Sequence, residues 1–332
     1  MASTSFSPLF SSFSSTLRST TLTKGLDSAT PWSRLEIDSP NTTRNLKKPA
    51  PPLSTPSPRK GWFLTPPALL THTSLPTWYH DNPFLPSSYR PIHASTSHCL
   101  RSLLYLHNES LNIYTHLLPA LLTLYHVPFL SSQLLPGSAN TSIITFFLFS
   151  TTITLLLSSA FHTMSCHSQH VSARFLKADY LGIVLLNSTC VVTGVWEMYR
   201  SSPQQAWKWA YTSLMAVVGT ATVGMVLLER CQGREWRGVR IAAFIGCGMV
   251  GVAPVVQVFW EGREAATGVR WYLLEGALLL GGAAVYALRV PERFAPGRFD
   301  IYGHSHQVFH CMVVAACVAH LTGLVKGLSA VP

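Results

Sequence analysis

The stretch FDIYGHSHQVFHCMVVAACVAH, residues 299–320, joins a polar segment rich in histidine to an apolar run that continues to Val325. His306 and His310 are four residues apart, so a helix places both imidazoles on one face. Two imidazoles in this arrangement supply half of a zinc site. The apolar run is long enough to cross a bilayer, where histidines are costly unless they have a partner or a function. The stretch therefore predicts a membrane helix that carries two metal ligands.

The composition indicates a membrane protein with several spans. The 332 residues are 48% hydrophobic and 11% charged, whereas a soluble domain carries about 25% charged residues. The net charge of +10 could suggest a nucleic-acid partner, but most basic residues lie near the N-terminus or in short loops between apolar runs. That distribution is typical of membrane topology signals, so no nucleic-acid partner is expected. The seven cysteines form no CxxC pair and indicate no disulfide framework.

The chain before the first apolar run divides into two segments. Residues 1–76 are rich in Pro, Ser and Thr and predict a disordered cytosolic tail. The first 26 residues also resemble a transit peptide, and this alternative is left open. Residues 77–111 bring aromatic residues and arginine next to the first apolar run, which predicts an interfacial juxtamembrane segment.

The remaining chain, residues 112–332, predicts an all-α membrane domain of seven transmembrane helices. Each apolar run is close to the ~20 residues that a helix needs to cross the hydrocarbon. The predicted spans are 112–135, 142–163, 179–199, 207–228, 239–260, 271–290 and 306–325. Most connections are short, so neighbouring helices should run antiparallel.

The basic residues of the loops predict the orientation of these spans. With the N-terminus in the cytosol and the C-terminus outside, the cytosolic loops hold 11 basic residues and the outer loops hold 5. The cytosolic set is Arg90, Arg101, Arg174, Lys177, Arg230, Arg234, Arg237, Arg240, Arg289, Arg293 and Arg298, and the outer set is Arg200, Lys208, Arg263, Arg270 and Lys326.

This orientation brings polar residues of three helices to the cytosolic face. His162 lies in the last turn of the second span, with Ser158 one turn earlier on the same side. Asp179 is predicted in the first turn of the third span, and His306 and His310 begin the seventh. The charge count does not use these residues, so their shared depth supports a common site.

Each residue also has a simpler interpretation when it is taken alone. The histidines near residue 306 could bind lipid headgroups, and His162 suits a helix C-terminus. Asp179 suits a helix N-terminus, and Ser158 suits close helix packing. Their convergence at one depth favours a site. His167, His170 and His304 are interpreted as loop residues, and Cys166 and Cys311 are not four residues from any predicted ligand.

Three histidines, His162, His306 and His310, fit a zinc ion whose fourth position stays open. Zinc lowers the pKa of a bound water towards ~7. A zinc ion with an open position for water is therefore the arrangement of a hydrolytic site. Asp179 could accept a proton or orient the water, and Ser158 could hold a ligand or polarise a carbonyl. Asp179 and Ser158 are therefore the predicted catalytic residues, and Zn²⁺ is the predicted cofactor.

The sequence resembles the adiponectin-receptor family, also called progestin and adipoQ receptors, which is related to haemolysin III. The resemblance runs over roughly residues 100–325 and indicates a fungal member. Four stretches carry it: HNESLNIYTHLL (107–118), SSAFHTMSCHS (158–168), FLKADYLGI (175–183) and PERFAPGRFDIYGHSHQVFHCMVVAACVAH (291–320). The additional His304 in GHSHQ departs from the pattern expected for the family.

The resemblance implies the same N-in topology and an intramembrane zinc site of Ser158, His162, Asp179, His306 and His310. It further implies hydrolysis of a ceramide-like lipid amide and a link to zinc and lipid homeostasis. The membrane is the plasma membrane or an endomembrane, and an extracellular ligand is left open. The alternative is a receptor in which zinc is structural and the signal passes to cytosolic partners. A zinc transporter is disfavoured because the polar cluster sits at one face only.

Overall fold

The computed structural model describes residues 66–134, 141–200 and 205–330, and within these ranges the protein is almost entirely helical. The described α-helices are α1 (Thr96–Arg101), α2 (Ser110–Leu134), α3 (Thr141–Met164), α4 (Gln169–Met198), α5 (Gln205–Leu227), α6 (Arg237–Met249), α7 (Val252–Trp260), α8 (Val269–Leu288) and α9 (Ser305–Ser329). Residues 1–65 of the tail that was predicted over residues 1–76 lie outside the described residues.

Six segments of the described chain are long and apolar enough to cross a membrane. They are α3, α4, α5, α8, α9 and the combined segment Arg237–Trp260, which contains α6 and α7. These six correspond to the second to seventh predicted spans and confirm an all-helical membrane domain. α2 covers the first predicted span with 25 residues but is not among the six, and its sequence includes polar Asn112, His116 and Gln133.

The predicted span 239–260 is two helices and not one continuous helix. α6 ends at Met249 and α7 begins at Val252, with a turn in which the Gly251 amide donates to the Gly248 carbonyl at 3.0 Å. Pro254 explains the break, because its ring clashes with the carbonyl four residues earlier and it has no amide to donate. The two helices still form one apolar segment of membrane-spanning length.

The prediction that Asp179 opens a helix is wrong. α4 begins ten residues earlier, at Gln169, and Asp179 lies in its third turn. A helix of 30 residues is about 45 Å long, whereas the hydrocarbon core is ~30 Å thick, so α4 continues beyond the span. Apolar composition marks where the membrane begins but not where the helix begins.

Residues 66–111 form a folded layer against the ends of α3 and α4. Side chains of this layer form a buried cluster with two residues at and just after the end of α3, and its members are Leu75, Tyr79, Leu85, Tyr89, Cys99, Met164 and Cys166. Leu70 pairs with Tyr89 through two backbone hydrogen bonds of 2.7 and 3.1 Å. The aromatic residues Tyr79 and Tyr89 are buried in this cluster.

α8 and α9 approach each other closely along their length. A Cβ atom at Gly323 would lie 2.6 Å from the ring of Tyr272, so no larger residue fits between the two helices there. This contact sets α9 against α8 along the segment that follows His306 and His310.

Candidate metal centre

Three histidines meet where the C-terminal end of α3 lies beside the N-terminal end of α9. A ring nitrogen of each of His162, His306 and His310 lies within 4.8 Å of the other two. The ring centroids are 4.8 to 4.9 Å apart and each pair of rings is close to perpendicular. The structure therefore brings the three predicted ligands together around one point, although they lie up to 148 residues apart in sequence.

Arg90 holds the end of α3 that carries His162. Its guanidinium is fully buried and donates to the carbonyl oxygens of His162 and Thr163, at 2.6 and 2.9 Å. Ser102 and Ser165 accept two further hydrogen bonds from it. A cation at a helix C-terminus satisfies carbonyls that have no partner within the helix. The sequence analysis used Arg90 only as a topology signal, whereas in the structure Arg90 positions the predicted ligand His162.

Glu109 fixes the ring of His162. The Nδ1 atom of His162 lies 2.8 Å from Glu109 Oε2. A carboxylate only accepts hydrogen bonds, so Nδ1 carries the proton and Nε2 keeps a lone pair. Nε2 is buried and has no hydrogen-bond partner within the described residues. An imidazole that is bound to a carboxylate through one nitrogen and free at the other is the usual form of a metal-binding histidine.

The Glu109 carboxylate is held in its charged form just before α2 begins. Burial alone would raise the pKa of Glu109, but the hydrogen bonds from His162 and Asn112 and the charge of Arg90 outweigh it. The result is a pKa below the ordinary value, and Asn112 Nδ2 donates to Glu109 Oε2 at 2.6 Å. The sequence analysis quoted Glu109 within HNESLNIYTHLL but assigned it no role.

His310 is oriented by α2. Its Nδ1 atom lies 3.0 Å from the carbonyl oxygen of Asn112 and 3.3 Å from the Thr115 hydroxyl. The Thr115 hydroxyl donates to the Leu111 carbonyl at 2.6 Å, so Nδ1 of His310 donates to Asn112. Nε2 of His310 is then the nitrogen with a free lone pair, as in His162.

His116 is a further site residue that the sequence analysis did not single out. Its ring stacks on His310 with centroids 3.7 Å apart and planes within 7°. Its Nδ1 atom lies 2.9 Å from Ser158 Oγ. Ser158 thus lies beside the histidine cluster, held by a neighbouring imidazole. The available signal for His116 was its spacing of seven residues, or about two helical turns, from Glu109, the residue that precedes α2.

Asp179 lies near the three histidines but outside their cluster of nitrogens. Its electrostatic neighbours are His162 and Ser158, and it lines the same cavity as both. The structure therefore places both predicted catalytic residues beside the predicted ligands. His304 does not join the cluster: it occupies the N-cap position of α9, and its Nε2 atom lies 3.2 Å from the Asn108 carbonyl.

The start of α9 is fixed by Glu292, which is fully buried. Its carboxylate accepts from the Ser305 amide at 2.8 Å, from the Ser305 hydroxyl, and from Asn82 at 2.9 Å. An acidic group at a helix N-terminus satisfies free amides and favours the helix dipole. Glu292 therefore sets the position from which His306 and His310 project.

These donors fit a zinc ion. They are three imidazoles, two of which present an unprotonated Nε2 that is set by a hydrogen bond on the opposite nitrogen. The third, His306, has Tyr286 on one side, with ring centroids 4.8 Å apart. Three neutral nitrogen ligands with one position left over is the donor set of zinc sites that activate water.

Glu109→Gln tests the role assigned to Glu109. The change keeps the side chain's size but replaces the charged acceptor of His162 Nδ1–H, so we expect zinc affinity to fall by about 10–100-fold. Competition with a chelator of known affinity measures the effect. Glu229→Gln, which removes an exposed carboxylate elsewhere, is the matched control and should leave affinity unchanged. Equal zinc affinity in Glu109→Gln and wild type would contradict the assignment.

Comparison with known proteins places the chain in one family. The family model for "Haemolysin-III related" proteins matches residues 104–321. The ADIPOR-like receptor IZH2 of Saccharomyces cerevisiae is 35% identical over 271 residues, covering 78% of this chain and 83% of the yeast protein. The adiponectin receptor protein of Drosophila melanogaster is 34% identical over 261 residues, covering 76% of this chain and 58% of the fly protein.

A plant relative, heptahelical transmembrane protein 5 of Arabidopsis thaliana, is 41% identical over 169 residues, covering 50% of this chain and 45% of its own. The apolar helices and these relatives define an integral membrane protein. The chain belongs to the haemolysin-III-related family, among its adiponectin-receptor-like members. This confirms the family predicted from the four histidine-rich and acidic stretches, and the yeast relative agrees with the predicted fungal source.

Proposed function

We propose that this protein is a zinc-dependent hydrolase of a lipid amide, of the ceramidase type, and that it acts in lipid and zinc homeostasis. The observation that carries the proposal is the buried Nε2 of His162 beside His306 and His310, for which the described part of the chain supplies no hydrogen-bond partner. A buried polar atom without a partner is costly unless a ligand satisfies it. A zinc ion held by His162, His306 and His310 would satisfy all three imidazoles.

When bound, zinc supplies Lewis-acid activation of a water molecule and of a carbonyl oxygen. Asp179 accepts a proton from the attacking water and returns it to the nitrogen that leaves, so that an amide and water give a carboxylic acid and an amine. Ser158, held by His116, lines the same cavity as Asp179, and its proposed role is to donate a hydrogen bond to the substrate carbonyl. Glu109, Asn112 and Arg90 keep the histidines in place through the reaction.

A large cavity beside the histidines favours a lipid substrate. It has a volume of about 780 Å³ and is lined by Ser158, His162, Asp179 and His310 at one end. Most of its remaining lining is aliphatic and aromatic, including Phe161, Ile183, Leu186, Phe244 and Leu280. Pockets for small molecules have volumes of ~300–1,000 Å³ and combine apolar walls with a few polar groups. In this proposal the scissile amide binds against the polar groups, and the apolar walls accommodate hydrocarbon chains.

The test is an assay of purified full-length protein on a panel of ceramides, with and without a chelator. We expect release of a fatty acid and a sphingoid base that stops when zinc is removed and returns when it is added back. A protein that binds zinc fully and hydrolyses no lipid amide would overturn the enzymatic proposal.

That outcome would favour the second candidate, a receptor in which zinc is structural. The observation behind it is that the cluster joins α3 to α9, so a bound ion would brace two helices whatever its chemistry. Several relatives carry receptor names, such as the yeast and fly proteins. Cytosolic partners of the N-terminal segment, and a ligand on the outer side, would then carry the signal.

We also propose seven spans, with the N-terminus in the cytosol and the zinc site near the cytosolic face. The six apolar segments together with α2 supply seven crossings, and the 11 to 5 distribution of basic residues supports the orientation. With this orientation, the ends of α3 and α9 that carry the histidines lie on the cytosolic side.

The orientation predicts that Asn41, in the acceptor sequence Asn-Thr-Thr, never carries a glycan. Expression in a eukaryotic host, followed by a glycosidase-dependent mobility shift, measures it. An acceptor sequence attached by a linker after Pro332 is the positive control, because the C-terminus is predicted to lie outside. A glycan on Asn41 would reverse the proposed topology.

A further inference from the structure

A second cluster of metal-binding side chains lies deep in the helix bundle, away from the three histidines. Ligand atoms of Cys190 in α4, Glu275 in α8 and His320 in α9 all lie within 4.8 Å of one another, and all three residues are buried. His320 follows His310 by ten residues, so the two clusters are about 15 Å apart along α9. Three helices meet at this cluster, and nothing in the proposed hydrolysis uses it.

Hydrogen bonds from two helices orient the ring of His320. Its Nε2 atom lies 2.9 Å from the Thr193 hydroxyl, which also lies 2.7 Å from the Thr189 carbonyl. Its Nδ1 atom lies 2.6 Å from Glu275 Oε2, and because a carboxylate only accepts hydrogen bonds, Nδ1 carries the proton of that bond.

Glu275 is buried, and an ionised carboxylate beside a neutral imidazole would leave an uncompensated negative charge inside the helix bundle. The pair therefore requires a positive charge. Among the described residues, Glu275 forms its ion pair with His320. The neighbouring Glu197 has other partners, because its Oε2 atom accepts from the Gly268 amide at 3.1 Å and from the Tyr272 hydroxyl at 3.0 Å.

The charge that the pair requires can be a proton or a metal ion, and the thiol of Cys190 favours the metal. A shared proton needs only Glu275 and His320, whereas a thiolate, a carboxylate and an imidazole together form a donor set for zinc. We propose that Cys190, Glu275 and His320 form a second binding site for a divalent metal ion, with zinc as the best fit.

The charge balance of this site suits the interior of a membrane. Binding displaces the thiol proton of Cys190 and the proton shared by Glu275 and His320, so one divalent ion enters and two protons leave. The thiolate and the carboxylate together carry two negative charges, and the complex with a divalent cation is neutral. A neutral complex avoids the cost of an uncompensated charge in a low-dielectric interior.

The site borders a cavity and has a hydrogen-bond partner behind it. The cavity that is lined by His162 and Asp179 is also lined by Cys190, Glu275 and His320. The Thr193 hydroxyl can accept the Nε2 proton of His320 when Nδ1 binds the metal, as outer hydrogen bonds do in known metal sites. Metal bonds of ~2.0–2.1 Å in a tetrahedral site place ligand atoms about 3.3 Å apart, so Glu275 must turn slightly away from His320 on binding.

Cobalt distinguishes this site from the first one. A thiolate bound to Co²⁺ gives a charge-transfer band in the near ultraviolet, and a site of three histidines gives none. We expect metal-free full-length protein, titrated with Co²⁺ in detergent, to show this band and to bind two ions per chain. The band should persist in the His306→Ala/His310→Ala variant, which lacks two ligands of the first site.

Cys190→Ser should abolish the band and lower the stoichiometry by one ion per chain. Cys247→Ser, which changes a buried cysteine outside the cluster, is the matched control and should keep both. If Cys190→Ser does not fold, as judged by helical circular dichroism, His320→Gln replaces it and should weaken Co²⁺ binding at this site by more than ~100-fold. Wild-type protein that binds Co²⁺ without a thiolate band would overturn the proposal and leave Glu275 and His320 sharing a proton. A band that survives in folded Cys190→Ser would also overturn it.

Discussion

His310→Ala is expected to remove one zinc ion per chain and lipid-amide turnover together. His310 supplies one of three nitrogens, and its Nδ1 is already committed to the Asn112 carbonyl, so no neighbouring group replaces its Nε2. Two remaining imidazoles make an incomplete site with much lower affinity. Without the ion, water is not activated, and we expect turnover to fall to the level of chelated wild-type protein.

The same variant should also lose stability. A ligand that binds only the folded state at 100 times its dissociation constant adds about 2.7 kcal/mol of stability, and the ion would join α3 to α9. Metal content by elemental analysis and thermal unfolding with and without chelator measure the two effects. In wild type the chelator should lower the unfolding temperature, and in His310→Ala this part of the shift should be absent.

His170→Ala is the matched control for His310→Ala. His170 is an exposed histidine in the first turn of α4, near the end of α3 but outside the cluster. Its replacement should leave zinc content, unfolding temperature and turnover unchanged. A combined His162, His306 and His310 variant that kept the full zinc content of wild type would rule out the first site.

Asp179→Asn should separate metal binding from chemistry. The asparagine keeps the shape of the side chain but cannot accept a proton from water. Asp179 lies outside the cluster of three nitrogens, so zinc should stay bound, with affinity lowered by at most about 10–100-fold. Turnover should fall by about 10²–10⁴-fold, which is the usual contribution of a general base.

The measurement is zinc content and ceramide turnover on one preparation at saturating zinc. Asp81→Asn is the control, because Asp81 is an exposed acid that lines the same cavity without contributing to the histidine cluster. It tests whether the loss of any negative charge in the cavity slows the reaction. Unchanged turnover in zinc-loaded Asp179→Asn would show that Asp179 is not the base.

Much of the candidate site could be predicted because its residues are polar within or beside apolar runs and have regular spacing. The spacing of His306 and His310 places them on one helical face, and the depth of His162 follows from the end of its apolar run. The three nitrogens do lie within 4.8 Å of one another. Identity of the ion, hydrolysis and the roles of Asp179 and Ser158 stay predictions that the variants above test.

Other features could not be read from hydropathy. Glu109 and Arg90 looked like charges at the edge of a membrane, whereas they orient His162 from the end of another helix and from the preceding layer. Asp179 looked like the first turn of a helix, whereas α4 begins at Gln169. Hydropathy reports the solvent around a segment, and it contains no information about hydrogen bonds between segments.

The sequence by itself determined the helical membrane domain, the family and the set of histidines, because apolar runs and residue spacing are local properties of the chain. Tertiary structure alone decided which nitrogen of His162 and of His310 is free and which side chains share a cavity. Cys190, Glu275 and His320 show the difference most clearly, since they lie in three separate apolar runs and no sequence spacing relates them. They become a candidate site only because α4, α8 and α9 pack together, and packing depends on the shapes of side chains distant in sequence.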